Sequence, residues 1–140
     1  MNKYEELRNK QEKEVEKFPI MWAFNKKQFS EGMEKLGLKE TDTDKIYSIG
    51  SGGYIRKTDS DKLHEMLNRH SEEMEKAIKE DPTGDGFIFD MFNYELANHE
   101  YCYTGDITDT LECLGLTEEE VNADERLLHG LKKAIRKQRG

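Results

Sequence analysis

Apolar residues recur every three or four positions over most of this chain, broken by a few short contiguous runs. Over residues 3–17, Tyr4, Leu7, Gln11, Val15 and Phe18 keep a near-helical spacing. That pattern predicts a charged rod with a narrow apolar stripe. Pro19 ends it, because proline cannot continue the helical hydrogen bonding. Residues 20–24 are a short apolar run and read as a buried strand. Asn25 is placed to cap a second helix, with Gln28 as its capping-box partner. Phe29, Met33 and Leu36 form that helix's inner face, and Gly37 suits its left-handed end.

Residues 45–49 and 54–57 read as two strands joined by Gly50, Ser51, Gly52 and Gly53, a hairpin turn. A long helix starts at Thr58 or Asp59 and runs to about Glu80. Its inner face is Leu63, Met66, Leu67, His70, Met74, Ala77 and Ile78. DPTGDG at 81–86 breaks it. The next segment, FIFDMFNYEL, fits a strand by its apolar run. However, Ile88, Met91, Phe92, Glu95, Leu96 and His99 share one helical face, which favours a helix over 87–101. A short helix over 107–114 closes at Gly115. Thr117 and Glu120 form a capping box, and the last helix turns Leu127, Leu128, Leu131 and Ile135 inward. The fold class is therefore α+β: a small antiparallel hairpin or sheet packed against four to six helices. The length, 140 residues, suits a single domain over 1–140, with the helix at 3–17 at its periphery.

One internal echo stands out. FSEGMEKLGLKE (29–40) and ITDTLECLGLTE (107–118) align without gaps, ending in Leu36-Gly37-Leu38 and Leu114-Gly115-Leu116. Two helices that share a glycine ending explain it more simply than a duplicated helix-turn unit.

Charge changes the picture more than composition does. The formal net charge is −8, and no Lys or Arg lies between Glu80 and Glu125, a span that holds fourteen acids. Such a span repels nucleic acid and attracts a basic protein surface. Carboxylates at phosphate-like spacing compete for the Lys and Arg of a nucleic-acid channel. The partner-binding candidates are Asp106, Asp109, Glu112, Glu118, Glu119 and Glu120. The opposing expectation is that the basic tail Lys132, Lys133, Arg136, Lys137 and Arg139 folds back and neutralises the acids. Those few cations argue against direct nucleic-acid binding as the function.

Other chemistry is fragmentary. Asp81, Thr83, Asp85 and Gly86 match the start of a calcium loop, but Phe89 and Phe92 stand at its ninth and twelfth positions. A helix–helix turn is the favoured reading, with calcium a weak alternative. Glu95 and His99 are one helical turn apart, a possible metal or acid–base pair, although a core histidine is the commoner outcome. Gly50, Ser51, Gly52, Gly53 and Arg56 offer an anion cradle for a nucleotide-like small ligand, without the flanking motifs of a phosphate loop. Cys102 lies near His99 in sequence but reads as a small core residue, as do Trp22 and the phenylalanines. No complete catalytic constellation is present, so the chain is expected not to be an enzyme and to need no cofactor. Two cysteines, no apolar leader and no run of about 20 apolar residues predict a cytoplasmic protein with free thiols and no membrane partner.

YSIGSGGYIRK, TGDGFIFDMFNYELANHEYCYTGD and TDTLECLGLT, taken together, resemble an uncharacterised family of small acidic proteins of gut bacteria and their phages. The resemblance spans Ile20 to Leu131 and carries no activity that transfers residue by residue. What it implies is setting: small acidic phage proteins are often inhibitors of host defence, anti-CRISPR proteins included, and several imitate nucleic acid. The expected function is thus a non-enzymatic, acidic, phage-encoded inhibitor of a nucleic-acid-binding host defence protein such as a nuclease effector. It would act in the host cytosol.

Overall fold

The structure, a computed structural model, describes residues 2–140. The element order is α1 (Lys3–Lys17), β1 (Met21–Trp22), α2 (Lys26–Lys35), β2 (Ile46–Gly50), β3 (Gly53–Arg56), α3 (Ser60–Glu80), α4 (Phe87–Asn98), α5 (Tyr101–Thr104), α6 (Thr108–Leu114), α7 (Glu118–Ala123) and α8 (Glu125–Arg139). The class is α+β with a small antiparallel sheet. Helices outnumber the predicted four to six because short segments such as α5 form single turns of their own. The chain divides into two compact units. One is Lys10–Ser71, and the other joins residues up to Asn9 with Glu72–Gly140.

In Lys10–Ser71 the sheet order is β1-β3-β2, so the predicted hairpin gains a third strand. Ser51 and Gly52 both take positive φ, 53° and 82°. This is the primed turn whose twist matches paired strands. Along β3 the burial alternates: Gly53 and Ile55 are buried, Tyr54 and Arg56 half-buried. One core holds Met21, Ala23, Met33 and Leu36, with Phe29, Leu38, Ile46 and Tyr54 against it. A second holds Ile55, Leu63 and Met66, with Val15, Phe18 and Ile20.

Three core expectations fail here. Trp22 and Phe24 are 50% and 74% exposed, and Leu67 lies on the outer side of α3. The glycines explain the rings. A Cβ on Gly53 would lie 2.8 Å from the Trp22 ring, and one on Gly52 would lie 2.6 Å from that of Phe24. The rings cover backbone that has no side chain to shield it.

The second unit is built on α4 and α8. Ile88, Met91, Phe92 and Leu96 of α4 are fully buried. Burial of each is worth about 1.5–3 kcal/mol. Leu127, Leu131 and Ala134 of α8 pack in the same core, with Tyr4, Tyr101, Leu111 and Val121. Segment 87–101 is helical, as its 3–4 periodicity required, but it is interrupted between Asn98 and Tyr101. Glu100 there adopts φ 57°.

Candidate functional site

The six acidic candidates lie on and beside α6 and α7. Asp109 sits in the first turn of α6, and Glu118, Glu119 and Glu120 fill the first turn of α7. A helix N-terminus favours negative charge, so local helix physics accounts for part of this clustering. Thr117 caps α7 by accepting from the Glu120 N–H at 3.1 Å. Asp106 accepts from the Thr108 N–H at 2.9 Å and its hydroxyl at 2.7 Å. Those bonds hold its carboxyl below the usual range.

All six side chains are exposed. Three basic residues of α8 go elsewhere. Lys133 Nζ lies 3.1 Å from Asp85, Arg139 donates to the Tyr101 hydroxyl, and Arg126 donates to Asp124 and to the carbonyl of Asp81. None of the six acids has an ion pair among the described residues.

A different arrangement surrounds Glu95, which is 1% exposed. Its Oε2 accepts from the Tyr4 hydroxyl at 2.6 Å and lies 3.7 Å from Arg8 Nε. Asn98 donates to Oε1 at 3.3 Å, and the Cys113 thiol approaches Oε2 at 3.6 Å. Arg8 also stands over the Tyr94 ring, 5.1 Å from its centroid. Burial, then the bond to Glu95 and its charge, push the Tyr4 hydroxyl far above the ordinary tyrosine value. Cys113 is exposed as a residue, yet its sulfur turns toward the buried carboxylate. Burial of the thiol and the Glu95 charge raise its pKa. His99 caps α4, and its Nε2 is buried without a hydrogen-bond partner.

Sequence reasoning paired Glu95 with His99 but named Cys102 as the nearby thiol. Cys102 is exposed rather than a core residue, and Cys113 from α6 is the cysteine at Glu95. Tyr4, 91 positions from Glu95, left no local signal at all.

The calcium-like loop is organised by Asp81. Its Oδ1 accepts from the N–H groups of Thr83 and Gly84, and its Oδ2 from those of Gly86 and Ile88. Burial pushes this carboxyl up, but the four amides outweigh it and the net shift is downward. Asp85 faces outward to His129 and Lys133, and Thr83 Oγ1 accepts from the Asp85 N–H. The Asp81 carboxylate and the Thr83 hydroxyl serve the turn, which is the use the helix–helix reading expects. At the hairpin, the rings of Phe24 and Trp22 cover Gly52 and Gly53. The Arg56 guanidinium meets Asp59 at 2.8 Å and the carbonyl of Leu36 at 3.3 Å.

No helix is long and apolar enough to cross a membrane among the described residues. Neither a curated protein nor a solved structure matches the chain. A family model does match, over residues 3–137, nearly the whole sequence. The chain therefore belongs to the family of unknown function DUF7659.

Proposed function

We propose that this protein is a non-enzymatic binding protein whose α6–α7 surface occupies a basic face of a nucleic-acid-handling protein. The observation that carries the reading is the set of six exposed carboxylates that no cation among the described residues pairs with. Each is exposed and available to a Lys or Arg of a partner. In this reading the acids stand in for phosphates, and the partner is a nuclease effector of host defence in the cytosol. Three of the α8 cations, Lys133, Arg126 and Arg139, are engaged instead with Asp85, Asp124 and Tyr101.

The test is a tagged pull-down from host lysate at low and high salt, with wild type beside a variant carrying Lys at Asp106, Asp109, Glu112, Glu118, Glu119 and Glu120. A captured nucleic-acid-handling protein should be released by salt and by added duplex DNA, and the variant should not capture it. Capture that survives reversal of all six charges would refute the reading.

A further inference from the structure

We propose that Glu95, His99 and Cys113 form a transition-metal site that takes Zn2+. The inference is independent of the acidic surface. One ligand-competent atom from each of the three residues lies within 4.8 Å of the other two. Across a tetrahedral zinc, with bonds of about 2.3 Å to sulfur and about 2.0–2.2 Å to oxygen or nitrogen, neighbouring ligand atoms stand about 3.4–3.6 Å apart. Cys113 Sγ and Glu95 Oε2 already stand 3.6 Å apart.

His99 supplies a second, independent observation. Its Nε2 is buried and meets no hydrogen-bond partner. A buried polar nitrogen left unpaired is costly, and native structures hold few of them. Coordination would satisfy it.

The donor set selects the metal class. A thiolate with an imidazole and one carboxylate suits zinc, whereas calcium and magnesium require oxygen ligands alone. Three protein ligands leave a fourth position for water or another ligand. On binding, the Cys113 sulfur–metal bond forms as the thiol proton passes to solvent. Tyr4 and Asn98 hold the two Glu95 oxygens, as outer-shell donors orient ligating carboxylates. Arg8, 3.7 Å from Oε2, is the cation that opposes the metal's charge and limits the affinity. Glu95 and His99 come from α4 and its cap, and Cys113 comes from α6. The metal would therefore clamp two helices of one core.

The experiment is a titration of the full reduced chain with Co2+, followed by Zn2+. Wild type should take one equivalent of Co2+ with a thiolate-to-metal charge-transfer band in the near ultraviolet, and Zn2+ should abolish that band. Cys113→Ser should lose the band. His99→Ala should weaken Zn2+ binding, measured against a chromophoric chelator, by more than the ~10–100-fold expected from losing an outer-shell partner. Cys102→Ser should keep both properties. Circular dichroism of each variant separates ligand loss from unfolding, and if Cys113→Ser unfolds, His99→Gln decides the matter by the same chelator competition. A wild type without the band, a Cys113→Ser variant that retains it, or a folded His99 variant that binds Zn2+ as wild type does would overturn the proposal.

Discussion

Tyr4 and Glu95 show how one side chain holds a charged group inside a core. The Tyr4 ring packs edge-on to Phe87, with centroids 5.7 Å apart, while its hydroxyl donates to a carboxylate sealed from water. Removal of that donor leaves a buried carboxylate oxygen one partner short. Tyr4→Phe should therefore destabilise the protein by about 1.5–3 kcal/mol, the range for a hydrogen bond to a charged group, although the ring and its packing survive. Chemical denaturation of the two proteins measures it. Asp81 is the other residue with such leverage. An Asn in its place keeps one oxygen, loses the charge and sets an N–H2 against the N–H groups it should receive. Asp81→Asn should cost about 2–4 kcal/mol by the same measurement. Asp59→Asn, whose carboxylate meets Arg56 alone among the described side chains, should cost less.

Among elements, the α2 and α6 endings settle what the repeated sequence means. In α2, the Leu38 N–H donates to the Met33 carbonyl and the Gly37 N–H to that of Glu34. In α6, Leu116 donates to Leu111 and Gly115 to Glu112. Both are the same glycine-terminated motif. The likeness stops there: Phe29 is inside α2, but its counterpart Ile107 is the N-cap of α6. A common ending, rather than a common helix, is what the two segments share. The α4–α8 contact depends on a different glycine. A Cβ on Gly130 would lie 2.5 Å from Ile88 Cγ2 and 2.9 Å from the Gly84 carbonyl oxygen. Ile88 is fully buried and has no room to retreat. Alanine at an ordinary helical glycine gains about 1 kcal/mol. Gly130→Ala should instead destabilise by about 1–3 kcal/mol through overpacking, seen as a lower midpoint in urea.

For the whole molecule, most perturbed carboxylates move the same way. Arg69, then His70, hold Glu14 down to about 2 despite an opposing desolvation. Asp85 is lowered by His129 and Lys133, Asp124 by Arg126, and Asp42 by the Lys39 N–H. Such groups bind their protons less readily folded than unfolded, so protonation favours unfolding. Their stabilisation is present above the ordinary carboxylate range near ~4 and fades as pH falls through the lowered values. Asp90, raised by burial and by Glu5 and Asp81, works against this trend as a single group. The thermal midpoint should thus fall steadily between about pH 4.5 and about pH 2. A midpoint that held level across that window would contradict the assignments.

Local rules made much of this protein legible in advance. Helix spacing placed α1, α3, α4 and α8. Cap chemistry placed Asn25 and Thr117, and the turn residues placed the hairpin, because each depends on neighbours within a few positions. The exposure of the six acids on and beside α6 and α7 was also readable, since it is the default state of Asp and Glu, whereas Asp81 and Glu95 in the same span are buried. Tertiary structure alone decided the rest. Trp22 and Phe24 look like core in sequence, but the glycines across from them draw the rings onto the sheet surface. Cys113 reads as an ordinary helical residue until α6 brings it to Glu95, 18 positions away, and Tyr4 arrives from 91 positions away. Contacts between distant segments depend on how elements pack, and no periodicity along the chain encodes which buried polar group will need which partner.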